Sequence, residues 1–356
     1  DAIYTYHFFF FLHLSTTIYL LYNTESEGLD ACEKSRFITQ LEVEKKANHT
    51  ITHEIYNAVV PEMAYQPMVI PKSENVMLRL REIAEKGFSP SALTSYIRNP
   101  IDFYFQKILH IREVEEVEET IALNTLGTII HETLRVLYEP FIGKFLSESD
   151  IQDCFKLLGD EVLKQFKLIY KEGEIKKGRN LLAFEVAKRN VFNFLNVELE
   201  NIKKGDIFKI IALEQRFERI LEHPSLPFPI KIGGSVDRIE ERNGIIRIID
   251  YKTGKVEKVN VTLKSWKGLT EDIKNDKIIQ VLAYAHMFEK EINDKPIEAG
   301  IISFKNLKSG FLPFNFKEDK EVFTTIDNEI LSNYLEQLVL LLTEILDVTV
   351  PFEEKI

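Results

Sequence analysis

Asp250 and Lys252 stand at the end of an apolar run, where a buried strand would be expected to stop. Asn243-Gly244 precedes that run and is the strongest short-range signal for a two-residue type I′ turn, so the flanking segments are predicted to be antiparallel strands. With these two residues as the loop, counting along both strands sets Asp237 opposite Asp250. Facing side chains have Cβ atoms about 4.5–5.5 Å apart, and Lys252 projects from the same surface. The spacing therefore brings two carboxylates and one ammonium group together.

Such a cluster needs charge compensation. Two ionised carboxylates about 5 Å apart repel by about 3 kcal/mol at an effective dielectric constant of about 20. Lys252 could compensate as an ordinary ion pair. A divalent cation between the carboxylates would compensate more fully, since hard oxygen ligands suit Mg²⁺ or Mn²⁺, and Lys252 would then be free to act on a substrate. The residues alone leave both interpretations open.

Two predicted helices carry further polar candidates. One of them has the sequence LGTIIHETLRVLYEPF and contains His131 beside an apolar face. A single histidine on such a helix is more often packed in a core than bound to a metal. The other has the sequence DKIIQVLAYAHMF, in which Gln280 and Tyr284 lie on one face with Lys277 a turn earlier. Amphipathic packing does not account for these polar side chains.

The elements that must position these residues alternate between helix and strand signals. Ser89 and Pro90 predict a helix start, as N-cap and first helical residue. Further along, we predict helices over 150–203, strands over 207–255, a helix over 274–290, strands over 298–304 and 311–317, and an apolar helix over 325–347. These elements predict an α/β (α+β) domain with a central mixed β-sheet flanked by helices.

The N-terminal region is predicted to be separate. Its first residues are as long as a membrane span, but polar side chains interrupt them and no basic residue precedes Lys34, so we expect neither a span nor a signal peptide. Residues 16–28 predict a buried strand that leaves into a polar loop. A proline-marked connection follows, and we expect regions 1–75 and 76–356. The missing initial Met leads us to expect a fragment of a longer protein.

Bulk properties narrow the function classes. The chain has 356 residues, 45% of them hydrophobic, which is enough for a large core. The net charge of −11 argues against a protein that coats nucleic acid with its whole surface, although 252–269 is a local lysine-rich stretch around Trp266. A solvated loop would explain that stretch equally well. The two cysteines, Cys32 and Cys154, match no metal or disulfide spacing, which favours a cytoplasmic location.

The order of the motifs GTIIHE, GGSVDRIE, IIDYKTG and QVLAY closely resembles the RecB-type branch of the PD-(D/E)XK nuclease superfamily, whose core is restriction-endonuclease-like. The stretch FSPSALTSYIRNPIDFYF narrows the resemblance to the C-terminal nuclease domain of AddB-like helicase-nuclease subunits, over about residues 85–300. The N-terminal TTIYLLYNTESEGL more weakly resembles the end of a degenerate helicase domain. The resemblance implies a metal-dependent DNase, an exonuclease that processes DNA ends in recombinational double-strand break repair with an AddA-like helicase.

The resemblance also implies a role for each residue of the cluster. Its metal ligands would be His131, Asp237, Asp250 and the backbone carbonyl of Tyr251. Lys252 would orient or activate the attacking water and stabilise charge on the scissile phosphate. The ion would be Mg²⁺ or Mn²⁺.

The implied substrate is DNA, single-stranded or at ends. Gln280 and Tyr284 would position the strand, and Lys277, Lys264 and Lys267 would contact its backbone. The alternative is a binding module of the same fold that grips DNA or a partner protein without cleaving it. The intact pair of aspartates with its lysine favours the nuclease.

Two cofactors are expected to be absent. Several AddB-like nucleases carry an iron–sulfur cluster whose first cysteine falls at the position of Asn99, and no cysteine follows Cys154. We therefore expect no iron–sulfur cluster. No GxxxxGK[ST] phosphate loop occurs, so we expect no ATP hydrolysis.

Overall fold

The computed structural model describes residues 2–13, 15–22, 34–55, 65–111, 121–170, 175, 177–288, 295–318 and 321–355. The chain divides into two compact units, Asp1–Tyr65 and Gln66–Ile356. This division falls within the proline-marked connection, between Pro61 and Pro67. The nature of the first unit stays a prediction.

In the described part of the first unit there are two helices, α1 (Ala2–His13) and α2 (Arg36–Val43). The Ser35 side chain caps α2 by accepting from the backbone N–H of Phe37. The strand predicted from residue 16 is wrong over 16–22, which are exposed and irregular. A β-prone run becomes a strand only where another strand accepts its hydrogen bonds, and the described residues of this unit include none. Across the described ranges, no helix is long and apolar enough to span a membrane.

The second unit holds most of the secondary structure. Its helices are α3 (Glu74–Lys86), α4 (Pro90–Arg98), α5 (Pro100–Phe103), α6 (Leu123–Tyr138), α7 (Glu148–Ile169), α8 (Gly178–Lys203), α9 (Asp276–Phe288) and α10 (Asn328–Leu346). Its strands are β1 (Val69–Ile70), β2 (Phe208–Leu221), β3 (Ile230–Arg242), β4 (Ile245–Lys252), β5 (Thr262–Leu263), β6 (Ile297–Ser303), β7 (Phe311–Pro313), β8 (Asn315–Glu318), β9 (Glu321–Phe323) and β10 (Phe352–Glu353). The helix predicted from Ser89 and Pro90 is α4, and the Ser89 side chain accepts from the N–H of Ala92.

The central sheet has the strand order β2-β3-β4-β6-β7. Strands β4 and β6 are parallel and the other neighbours are antiparallel, so the sheet is mixed. The loop Asn243-Gly244 has φ values of 52° and 83°, as a type I′ turn requires. Strands β3 and β4 pair from Arg242 opposite Ile245 to Arg238 opposite Ile249, which confirms the predicted register.

Helices cover both surfaces of this sheet. On one surface α6, α7 and α8 form a core with Phe208, Ile249 and Tyr251. On the other, α3, α4, α9 and α10 form a core with Ile239 and Ile248. Fully burying such a side chain contributes about 1.5–3 kcal/mol, so both cores hold the sheet in place. The predicted α/β (α+β) fold, a mixed sheet flanked by helices, is confirmed.

The C-terminal end is fastened beside α4 and α5. Strand β10 pairs with β1, and the fully buried ring of Phe352 lies 5.4 Å from that of Tyr104. Lys72 Nζ donates to the carbonyls of Glu344 and Asp347 at the C-terminal end of α10, at 2.9 Å each. Asn99 accepts from the N–H of Ile101 at 3.1 Å and so caps α5. This region is therefore held by aromatic packing, by the short β1–β10 pairing and by side chains that cap the ends of α5 and α10.

Candidate metal centre

The neighbouring strands β2, β3 and β4 of the central sheet carry a row of carboxylates. A bulge between Ile210 and Ala212 shifts the register of β2 on β3 by one residue, which sets Glu214 opposite Asp237. Without that bulge Leu213 would face Asp237 instead. Glu214 has a φ of 45°, an uncommon value for a residue other than glycine. The distortion therefore turns a third carboxylate toward the two aspartates.

His131 reaches this row from α6. Its Nδ1 lies 3.5 Å from Asp237 Oδ2 and 3.7 Å from Glu214 Oε1, and one ligand atom from each of the three residues lies within 4.8 Å of the others. An octahedral ion with ligands at about 2.0–2.2 Å holds neighbouring ligands about 3 Å apart and opposite ones about 4 Å apart. The imidazole and two carboxylates thus match a divalent cation with small adjustments.

Sequence reasoning missed Glu214. Its strand segment carries no motif, and the bulge that turns its side chain depends on how β2 pairs with β3. The ligand set implied by the family resemblance included Asp250, which lies outside the group of three.

Asp250 is held by partners within the chain. Its side chain is only 4% exposed, and Oδ2 forms an ion pair with Lys252 Nζ at 2.8 Å, without a well-aligned hydrogen bond. Its Oδ1 accepts from Gln280 Nε2 at 2.9 Å, and the same amide nitrogen lies 2.8 Å from the Tyr284 hydroxyl. The structure therefore brings Asp250, Lys252, Gln280 and Tyr284 together at the end of β4.

The backbone of Tyr251 connects the two halves of the cluster. Its N–H donates to Asp237 Oδ2 at 2.6 Å, so the Asp237 side chain is bonded to β4 just past the last ladder pair. The carboxylate is fixed in position while its Oδ2 still faces His131.

The pKa shifts show a shortage of positive charge. Burial and the charge of Asp250 raise the pKa of Asp237 to about 7. Burial also raises the pKa of Asp250, against the opposing charges of Lys252 and His131. For His131, burial alone would lower the pKa, but the carboxylates of Glu214, Asp237 and Asp250 outweigh it and raise the pKa. A divalent cation among these donors would supply the missing charge, so the residues fit a metal ion.

The lysines predicted to contact DNA have fewer partners within the chain than the residues of the metal centre. Lys264 and Lys267 are exposed on the segment after β4, while Lys277 is half-buried and pairs with Asp276 at 3.1 Å. Trp266 stacks on Phe316 with ring centroids 5.2 Å apart, so its ring belongs to the packing of this segment.

Comparison with known proteins gives relatives of unknown activity. An uncharacterized protein of Rickettsia felis is 30% identical over 174 residues, which are 47% of this chain and 19% of that protein. An uncharacterized protein of Rickettsia conorii is 29% identical over 174 residues, again 47% of this chain and 19% of that protein. The chain therefore matches about a fifth of the length of these curated relatives. A solved structure titled "Crystal structure of SSO0001" is 16% identical, covers 72% of this chain and 88% of that chain, and has a TM-score of 0.19.

The match to a family model is broader. The model described as the PD-(D/E)XK nuclease superfamily matches residues 87–355. That range contains the whole central sheet, all the helices packed on its two surfaces except α3, and the histidine, carboxylate and lysine side chains clustered at the end of β4. Because this match covers most of the chain, including the sheet and the clustered donors, the chain belongs to the PD-(D/E)XK nuclease superfamily.

Proposed function

We propose that this chain is a divalent-metal-dependent deoxyribonuclease of the RecB type, resembling the nuclease domain of an AddB-like subunit. The observation that supports this best is the convergence at one strand end of His131, Glu214 and Asp237 with the pair Asp250 and Lys252. Carboxylates, an imidazole and a fixed ammonium group are the parts that metal-assisted phosphodiester hydrolysis needs.

In this proposal His131, Glu214 and Asp237 would hold Mg²⁺ or Mn²⁺, with Asp250 and the Tyr251 carbonyl beside them. The bound cation would supply a Lewis acid for the phosphate and lower the pKa of a bound water. Releasing the proton of Asp237 prepares that carboxylate to bind the ion, since a metal ligand must be deprotonated.

Lys252 is the cationic side chain of the proposed mechanism. Its ion pair with Asp250 keeps the ammonium group at the strand end, where it would orient the attacking water and stabilise charge that develops on the phosphate. The side-chain amide of Gln280 hydrogen-bonds to both Asp250 and the Tyr284 hydroxyl. Gln280 and Tyr284 would together position the DNA strand. Strand β4 carries Asp250 and Lys252, and helix α9 carries Gln280 and Tyr284, so regular elements hold these four groups in place.

The wider biological role is part of the same proposal. We propose exonuclease action on single-stranded DNA or DNA ends, in recombinational double-strand break repair, with an AddA-like helicase as partner. Lys264, Lys267 and Lys277 would contact the DNA backbone. Residues 1–75 would be the end of a degenerate helicase domain and 76–356 the nuclease domain, working in the cytoplasm without ATP.

We also propose that the nuclease domain works without an iron–sulfur cluster. In support, Asn99 caps α5 through its own side chain, and Phe352 packs against the aromatic rings beside it. Of the two cysteines, Cys154 is buried and burial raises its pKa to about 12, so its thiolate is disfavoured as a ligand, while Cys32 lies outside the described residues.

The test is cleavage of end-labelled linear and circular DNA, single- and double-stranded, with Mg²⁺, with Mn²⁺ and with chelator. We expect metal-dependent release of nucleotides from linear DNA and intact circles. Cleavage of circles would support endonuclease action instead. DNA binding without cleavage in either metal, even with a helicase partner added, would contradict the nuclease proposal and favour a binding module.

A further inference from the structure

Tyr251 connects the candidate metal centre to the interior of the protein. It lies between Asp250 and Lys252, so its side chain projects from the opposite surface of the sheet. There its ring is buried, with centroids 5.6 Å from the ring of Phe194 and 5.7 Å from that of Phe304. The backbone of this residue belongs to the metal centre, while its side chain belongs to a core.

The hydroxyl group of Tyr251 meets a fixed donor in that core. Arg238 Nη1 donates to it at 3.3 Å, and the Arg238 side chain is completely buried. The guanidinium also pairs with Glu198 at 3.2 Å and with Glu240, and lies 4.9 Å over the ring of Tyr138. Because Arg238 is held on several sides, it can hold the Tyr251 ring in turn.

The same ring contacts the metal centre. The rings of Tyr251 and His131 meet edge to face, with centroids 5.7 Å apart. On the backbone side, the Tyr251 N–H donates to Asp237 at 2.6 Å. Phenylalanine would fill the same space, and a buried hydroxyl is costly unless it is hydrogen-bonded. The hydroxyl therefore contributes by fixing the orientation of the ring and not by filling space.

We propose that Arg238 and Tyr251 are positioning residues for the metal centre. Arg238 fixes the Tyr251 ring through the hydroxyl, and Tyr251 fixes His131 by ring contact and Asp237 by its N–H. Both side chains are buried, so neither would contact the substrate. This inference rests on the proposed function, because it concerns the cation that the nuclease would bind.

The first experiment measures Mn²⁺ binding to the metal-free chain by calorimetry, together with single-turnover cleavage. Tyr251→Phe should raise the Mn²⁺ dissociation constant by about 10-fold, the lower end of what partners of metal ligands contribute. The matched control is Tyr334→Phe, which removes the hydroxyl of an equally buried tyrosine on α10. That control should leave Mn²⁺ affinity unchanged.

A double-mutant cycle then asks whether Tyr251 acts through His131. In a His131→Ala background the effect of Tyr251→Phe on Mn²⁺ affinity should shrink toward none, since coupled residues are not additive. An equal loss in both backgrounds would overturn the proposal, as would unchanged affinity in Tyr251→Phe. Loss of folding in Tyr251→Phe, seen by circular dichroism, would make the hydroxyl purely structural and would also overturn it. A wild-type chain that neither binds Mn²⁺ nor cleaves DNA would instead contradict the proposed function.

Discussion

Strand β3 places two charged clusters back to back, and their electrostatics are opposite. Asp237 faces the metal centre, whereas the next residue, Arg238, points into the opposite core. There Arg238 and Arg242 bond to Glu198 and Glu240, and we call these four residues the ion network. Both clusters contain several carboxylates, but the ion network is almost completely buried, whereas the histidine and carboxylates of the metal centre are in part half-buried.

Their pKa values show what differs. Burial by itself would raise the pKa of Glu240, but Arg238 and Arg242 lower it to about 2. Burial and the charge of Asp250 raise the pKa of Asp237 to about 7, and among the described residues no guanidinium stands beside it to oppose them. Two arginines balance two glutamates in the ion network, whereas Lys252 and His131 do not fully balance the three carboxylates of the metal centre. A cluster kept short of positive charge is suited to bind a cation from outside.

Neutralising one carboxylate in each cluster should have opposite effects on stability. Glu240→Gln leaves buried guanidinium charge uncompensated and should lower the free energy of unfolding by about 3–5 kcal/mol. Asp237→Asn keeps an acceptor for the Tyr251 N–H and removes a repelling charge, so the metal-free stability should hold or rise. Urea unfolding in chelator at pH 7.5 measures both.

The control for this pair is Asp153→Asn, which breaks an exposed ion pair with Lys156. It should change stability by less than about 1 kcal/mol. Equal losses in Glu240→Gln and Asp237→Asn would show that the two clusters are both structural.

Lys252→Ala should separate chemistry from metal binding. The carboxylates and His131 remain, so Mn²⁺ should still raise the melting temperature, whereas cleavage should slow by about 10²-fold because a charge at the phosphate is lost. Lys255→Ala removes an exposed lysine three residues later and serves as the control. If single-turnover cleavage is unchanged in Lys252→Ala, the only role of Lys252 is to balance the negative charge of Asp250.

The pH dependence of stability should also distinguish the clusters. The folded pKa of Asp237, about 7, exceeds the unfolded value of about 3.9. The stability that this carboxyl contributes is therefore fully present below about pH 4 and is lost as pH rises through about 7. We expect the metal-free wild type to lose stability relative to Asp237→Asn between pH 5 and pH 8, while Mn²⁺ stabilisation grows over that range.

Glu240 has the opposite shift and should behave differently over this range. Its stabilising contribution is present above the unfolded pKa and is lost only as pH falls toward about 2. If the free energy of unfolding changes with pH in the same way for wild type and Asp237→Asn from pH 5 to pH 8, the proposed electrostatic difference between the two clusters is wrong.

The smallest effect is expected at the exposed lysines. Replacing Lys264 and Lys267 with alanine should weaken DNA binding across all sequences and flatten its salt dependence by about 0.7–0.9 per lost phosphate contact. Lys203→Ala with Lys204→Ala changes exposed lysines at the end of α8 and is the control. An unchanged salt slope in the first pair would place the DNA path elsewhere.

Local sequence patterns were enough to predict the hairpin register, a helix start and the superfamily of this protein. A two-residue loop allows one hairpin register, so Asn243-Gly244 was enough to align β3 with β4. Capping residues such as Ser89 marked a helix start because their side chains satisfy backbone N–H groups within three residues. Motif order led to the superfamily, which the family match then showed. The chemical roles of the site residues stay predictions.

Tertiary structure decided what depends on partners distant in the chain. Glu214 joins the cluster only because a bulge forms where β2 meets β3, and Asp250 is bonded by Gln280 from a helix thirty residues later. Residues 16–22 have strand propensity but lack a described pairing strand in their unit. Nothing in the sequence around Arg238 distinguishes it from an exposed strand arginine, because its partner Glu198 comes from α8. Local sequence patterns were therefore sufficient for interactions between residues close together in the chain, whereas the pairing of strands and helices across the fold set which distant side chains meet.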